Sequence, residues 1–261
     1  MLSHSFPDLD RFRSALMSPD APRVRDARLQ IAADAKLSVF YAPFEHINHN
    51  ARLILVGITP GPTQMANALQ AIRAAKASGK SDAEAMAEAK AFASFSGEPM
   101  RSNLIAQLNH WGIHDWLGIP DSAGLFGDGS NLVHYTSLLR NPVFVGTNGY
   151  NGTPDMMRHP ILQAQILENF VPEMQLLDKA LILGLGPKVH AVLDRLASMG
   201  KIPRDRYING LLHPSGQNSY RIRYLVGDQR SDPPHMTNAA PYNAGRRKFQ
   251  QQKTLSGADA G

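Results

Sequence analysis

LILVGITPG, residues 53–61, joins four consecutive apolar residues to a turn built from Gly57, Pro60 and Gly61. An apolar run this short, bounded by turn residues, reads as a buried strand rather than a helix. Three more stretches share its character: NLVHYTSLL at 131–139, ALILGLG at 180–186 and YINGLLHPS at 207–215. Between them the pattern changes. Residues 64–94 are rich in Ala, Lys, Glu and Met and predict one or two helices broken near Gly79. Residues 101–117, 159–178 and 187–199 are also expected to be helical, and 118–130 to be a loop rich in Gly, Pro and Asp. Strands that alternate with helices predict an α/β fold, a three-layer α/β/α arrangement around a central, mostly parallel sheet of about four to five strands. One domain is expected over residues 1–261, with its core at 37–228, a helical extension over 1–36 and a polar, partly flexible arm over 229–261. Ligands of such sheets bind outside the carboxyl ends of the strands. Three of the four strands lead there into the unusual loops GITPGPTQ, TSLLRNP and HPSGQNS.

The composition narrows the chemistry. With 43% hydrophobic and 19% charged residues the chain is typical of a globular protein, and no apolar run approaches a membrane-spanning length. There is no cysteine, which excludes disulfides, a thiolate nucleophile, and cysteine-bound zinc or iron–sulfur clusters. The net charge of +5 suits a polyanionic partner, although Arg246, Arg247, Lys248 and Lys253 account for part of it and can equally solvate a tail. Acidic residues come early, at Asp8 and Asp10, with no apolar core behind them. A secretory leader is therefore not expected, and the reading is a cytoplasmic monomer without membrane contact.

HPSGQNS at 213–219 sets an imidazole, a hydroxyl and two amides directly after Leu211 and Leu212. Together, GITPG at 57–61 and HPSGQNS resemble the two active-site loops of the uracil-DNA glycosylase superfamily. The likeness extends over roughly residues 37–228, through TSLLRNP and the order of strands and helices. It implies excision of a base from single- or double-stranded DNA, for which the nucleotide is flipped out, the leaving base anion stabilised and a water aimed at the sugar carbon. In that family the first loop offers backbone amides to the base, here around Ile58, and a water-positioning residue, here Thr59 where relatives carry Asp or Asn. Gly61 stands where the uracil-specific branch has a Tyr that excludes larger pyrimidines, and Gln64 is a further polar candidate. Ser137, beside Thr136, occupies the position of an Asn that reads the base edge. Phe95 is the expected stacking ring, with Phe92 as its competitor. The resemblance makes His213 the donor to the developing oxyanion on the base, and Ser215 and Gly216 the grip on a phosphate. Gln217 stands where relatives insert a Leu wedge. Arg101, Ser102, Arg140, Tyr220, Arg221 and Arg223 are implied as further DNA contacts.

The implied activity is monofunctional: neither motif contains a Lys that could serve a lyase step. No metal or cofactor is expected. The departures at Thr59, Gly61 and Ser137 imply a bulky modified pyrimidine ahead of plain uracil, for instance a modified cytosine of phage DNA in an antiviral role. The alternatives are a catalytically weak DNA-binding module of the same fold and a small-molecule nucleoside hydrolase. Other motifs have plainer readings. GITPG lacks the Gly-Lys-Ser/Thr of a nucleotide-binding loop, and GLGPKV at 184–189 lacks the third Gly of a dinucleotide fingerprint and is expected to serve packing. His110 and His114 are four apart on a helix but have no third ligand, and the flanking Trp111 and Trp116 suit an amphipathic helix better. His46 and His49 read as surface residues of a turn.

Overall fold

A computed structural model of the chain describes residues 6–227, 229, 233–235 and 237–258, the last five without their side chains. The strands are β1 Gln30–Ala33, β2 Ser38–Phe40, β3 Leu53–Gly57, β4 Val133–Ser137, β5 Val143–Val145, β6 Asn148–Gly149, β7 Leu181–Leu185 and β8 Tyr207–Leu211. The α-helices are α1 Pro7–Leu16, α2 Pro62–Ala77, α3 Asp82–Ala93, α4 Met100–Trp111, α5 Ile113–Leu117, α6 Pro160–Gln165, α7 Val171–Leu176, α8 Pro187–Ser198, α9 Ser219–Val226 and α10 Ala240–Ala258. The fold class is the α/β/α one expected, with a mostly parallel sheet in the order β4-β3-β7-β8 and a second, antiparallel sheet in the order β1-β2-β5-β6. By contact the chain divides into two compact units, each assembled from three separate stretches. The first holds the described residues up to His49, Ile58–Ser96 and Tyr135–Leu176; the second holds Asn50–Gly57, Gly97–His134 and the described residues from Leu177 onward.

In the second unit, all five residues of β3 are buried. They pair in parallel with β7, Leu53 opposite Leu181 through Val56 opposite Gly184. β7 continues the sheet to β8, in parallel from Ile182 opposite Tyr207 to Leu185 opposite Leu211. Since all three strands run the same way, their carboxyl ends at Gly57, Leu185 and Leu211 share one edge. GITPG and HPSGQNS both depart from that edge. Gly184 is there for packing, as its motif suggested: a Cβ would stand 2.9 Å from Leu193 Cδ1 of α8.

The expected 64–94 segment is two helices, α2 and α3. Ser81 ends the break by accepting from the Glu84 backbone amide at 3.3 Å while the Glu84 carboxylate accepts from the Ser81 amide at 2.9 Å. The helix expected over 101–117 is interrupted at Gly112, whose φ of 78° closes α4 in the left-handed conformation. Both termini depart from expectation. Residues 1–5 lie outside the described set, α1 covers only Pro7–Leu16, and β1 replaces the helix expected near 30–33. The described part of the arm is not loose: α10 buries Tyr242 and Phe249 to 0% and 1% exposure. These two and Gly245 lie at helical spacing, and Gly245 lets the helix approach Trp111 and the Asn209 carbonyl where a Cβ would collide. Residues 228, 230–232, 236 and 259–261 of that arm lie outside the description. Among the described residues no helix is long and apolar enough to cross a membrane.

Candidate functional site

In the first unit, the loop after β3 is anchored by its own polar atoms. The Leu139 amide donates to the Ile58 carbonyl at 2.9 Å, which ties the loop to the segment following β4. Thr59 Oγ1 donates to the Asn141 carbonyl at 3.1 Å and accepts from the Val143 amide at 3.3 Å. Its proton is thus committed to the main chain, and one lone pair is left over. Gly61 opens α2 without a side chain of its own, and Gln64 caps it: Oε1 accepts from the Gly61 amide at 3.0 Å while Nε2 donates to the Ser96 carbonyl at 2.8 Å. A Cβ on Gly61 would meet that Oε1 at 2.7 Å, so the volume released by glycine holds the Gln64 carboxamide. Phe95 sits in the left-handed region at φ 48°, a costly place for a residue with a large side chain, and its half-buried ring meets Tyr135 edge-on at 5.9 Å. Phe92 is 56% exposed. Ser137 ends β4 half-buried, after the buried Thr136.

In the second unit, the loop after β8 carries His213. The Ser215 amide donates to its Nδ1 at 3.3 Å. A ring nitrogen that accepts carries no proton, so the hydrogen of the neutral imidazole sits on Nε2, which becomes a donor. Burial pushes the His213 pKa down from the usual histidine range, which favours this neutral form. The loop is held from both sides. Gln107 of α4 pairs with Leu212 like a strand partner, Oε1 accepting from its amide at 2.8 Å and Nε2 donating to its carbonyl at 3.2 Å. Asn103, one turn earlier, donates to the Pro214 carbonyl at 3.0 Å and to Ser219 Oγ at 2.8 Å, and Asn218 donates to the His213 carbonyl at 2.8 Å.

Beneath the loop lies Gly186, with φ 93° and its amide donating to the Leu211 carbonyl at 2.9 Å. A Cβ there would stand 3.0 Å from His213 Cβ. Gly186→Ala is therefore expected to cost about 1–3 kcal/mol through backbone strain and to displace the imidazole. Thermal unfolding checks the first effect, and an unchanged melting temperature would count against it. The depressed His213 pKa has a pH consequence. Below the ordinary histidine value the unfolded chain takes up this proton while the folded chain resists it, so its contribution to stability is present above about pH 6.5 and lost on acidification below it. A comparison of denaturant midpoints for the wild type and His213→Gln between pH 7 and 5 should show the variant losing less stability.

Several expected DNA contacts have other occupations. Arg140 Nη2 donates to the buried Glu173 carboxylate at 3.1 Å, a carboxylate that at 1% exposure needs a cation beside it. Ser102 donates to Glu98 Oε2 at 2.6 Å, which places an anion beside it, a poor neighbour for a phosphate. The Arg101 guanidinium lies 4.6 Å from the centre of the Phe126 ring. Gly216 and Gln217 are exposed at the tip, Ser215 is half-buried, and Tyr220 is exposed with the Arg221 guanidinium 5.3 Å from its ring centre. Arg221 also reaches Asn218 at 3.3 Å. Among the described residues no three His, Cys, Asp or Glu side chains gather as a set that could hold a metal ion.

Over 191 residues, 72% of this chain and 74% of the relative, the sequence is 33% identical to the uncharacterized protein YoxB of Bacillus subtilis (strain 168). The chain belongs to the YoxB family. No family model matches it, and no solved structure does. Within this member of the YoxB family the residues that hold the His213 loop are ones the sequence reading passed over. Asn103 and Gln107 are four apart on α4, in RSNLIAQ, and a polar pair on an otherwise apolar helical face was the signal that could have found them. Gly186 had a signal too, in the GLGPKV motif, but nothing in its spacing points to His213.

Proposed function

We propose that the chain is a monofunctional DNA N-glycosylase that flips a pyrimidine out of DNA, hydrolyses its glycosidic bond and leaves an abasic site. The observation that carries this is the imidazole of His213, whose Nδ1 accepts from the Ser215 amide at 3.3 Å on the loop that follows the carboxyl end of β8, which leaves Nε2 as its donor. In this reading the Nε2–H meets the charge that develops on the carbonyl oxygen of the departing base, where a donor in a water-poor setting lowers the barrier most. A neutral donor suits this task, since it supplies a hydrogen bond without giving up its proton in advance. Ser215 and Gly216 would take the adjacent phosphate, and Phe95 would stack on the flipped base. A neutral hydroxyl such as Thr59 is too weakly basic to serve as a general base; with its proton donated to Asn141, its remaining lone pair can orient a water by accepting from it. Catalysis would then be chiefly electrostatic.

The Gln64 carboxamide bears on substrate size. The space next to the Gly61 Cα is bordered by this side chain, which is hydrogen-bonded through both its oxygen and its nitrogen. That supports a uracil-sized base, unless Gln64 swings away. A panel of single- and double-stranded substrates containing uracil, mismatched thymine, hydroxymethylcytosine or glucosylated cytosine, followed by alkali cleavage, tests both points. Scission at uracil supports the reading with Gln64 in place; scission only at the modified cytosines requires Gln64 to move and favours the defence role. A second reading, a DNA-binding module without catalysis, is favoured by the committed Thr59 hydroxyl. It predicts retained DNA affinity and no scission on any substrate.

A further inference from the structure

The C-terminal helix contributes to a cavity that the glycosylase reading does not use. Within the second unit, α10 presents Asn243, Arg246, Arg247 and Gln250 to an opening of about 830 Å³ that is also lined by His110 at the end of α4 and by Gln229. The opposite face of α10, with Tyr242 and Phe249, is buried, so the helix is amphipathic and its polar face borders a hollow. Three properties define the ligand chemistry. First, no carboxylate lines the cavity among the described residues, and neither Arg246 nor Arg247 makes an ion pair with a described residue. Two exposed guanidiniums lining one opening give it cations suited to a phosphate.

Second, the wall is amide-rich. Gln229 and Asn243 pair reciprocally at 2.8 and 3.3 Å and Gln229 also donates to the Leu225 carbonyl at 2.8 Å, which orders both carboxamides and leaves one Asn243 N–H and a lone pair on each carboxamide oxygen for a ligand. Amides of this kind match the mixed donor and acceptor edge of a nucleobase. Third, the imidazole of His110 forms part of the wall, held edge-on against Tyr242 at 5.7 Å between ring centres. The volume falls within the range of small-ligand sites and far exceeds that of a lone anion.

We infer that this cavity binds a nucleoside phosphate, either free or as one unit of a single strand, through Arg246 and Arg247 with the amides and His110 around the base and sugar. None of its lining residues belongs to the His213 loop, so the inference stands apart from the proposed excision chemistry.

The test is fluorescence polarisation of a labelled oligo-dT bound to the full chain, with unlabelled dTMP and inorganic phosphate as competitors. Arg246→Gln/Arg247→Gln is expected to weaken binding by roughly 10-fold or more, from the charge-assisted bonds lost, and to flatten its salt dependence. Both side chains are exposed, so the melting temperature should hold. Asn243→Asp, which places a carboxylate in the cavity, should weaken binding as well. Lys201→Gln, which removes an exposed cation outside the cavity and outside the His213 loop, serves as control and should leave this affinity unchanged. Competition by dTMP identifies a free nucleotide as the ligand, and binding of the strand alone identifies nucleic acid; either supports the site. Unchanged affinity in the double variant, equal competition by phosphate and dTMP, or no binding of any probe overturns it.

Discussion

His213→Ala is expected to slow base excision by about 10²–10³-fold, the loss seen when one donor to a developing oxyanion is removed, while leaving the fold in place. The separation of the two effects follows from how the loop is held. Its main chain is fixed by Gln107 at Leu212, by Asn103 at Pro214 and by Asn218 at His213 itself, and none of these bonds uses the imidazole. The ring contributes one acceptor, to the Ser215 amide. Truncation thus removes the Nε2–H donor and leaves a loop with most of its anchors. Single-turnover rates on the best substrate of the panel, alongside melting temperatures, measure this directly. His213→Gln should retain part of the rate, because its carboxamide can present an N–H from a similar place. Excision that survives His213→Ala undiminished would sink the mechanism, whatever the base.

The fold was readable where a segment's local pattern and its burial agree. LILVG is apolar at every position, and a strand inside a parallel sheet has no polar face, so the sequence alone marks β3 as central. The break between α2 and α3 was equally visible at Gly79, whose φ of 79° suits the turn that follows α2. Where burial depends on few residues the reading failed. α10 is mostly polar and docks through Tyr242, Gly245 and Phe249, too sparse a stripe to distinguish from a solvated tail. β5 and β6 span only five residues between them, around a turn at Gly146, and owe their strand geometry to the pairing of β5 with β2. The candidate site divides in the same way. His213 and Thr59 could be named from motifs because a chemical type at a strand exit is a local feature. What holds them is nonlocal: Gln107 is 105 positions from Leu212, and Asn141 is 82 from Thr59. No spacing rule connects such pairs. At Gly61 the sequence shows a missing side chain, while the bonds that seat Gln64 beside it, to the Gly61 amide and the Ser96 carbonyl, emerge only in the fold.

Glu173→Ala is expected to destabilise the chain by about 3–5 kcal/mol, the cost of removing one partner from a buried ion pair, and that result would decide what Arg140 is for. The Glu173 carboxylate, at 1% exposure, accepts from Arg140 at 3.1 Å and stands 3.9 Å from the Lys90 ammonium. Lys90 is itself buried and donates to the His46 carbonyl at 2.7 Å. Burial depresses its pKa to about 8, and the charge of Glu173 opposes that fall. Alanine at 173 leaves two cations facing each other without this counter-charge, and Lys90 should then release its proton at still lower pH. The sign is testable. For a lysine whose folded pKa lies below its unfolded one, the unfolded chain binds more protons between the two values, so stability rises with pH across that interval. In the wild type the interval runs from about 8 to 10.5, and in Glu173→Ala it should begin lower. Part of the lost stability should therefore return between pH 7 and 9 in the variant, more than in the wild type, when denaturant midpoints are compared. Arg140→Gln should also destabilise, because it strips Glu173 of its nearer cation. If instead Arg140→Gln melts like the wild type and binds DNA more weakly, the guanidinium serves a phosphate rather than Glu173.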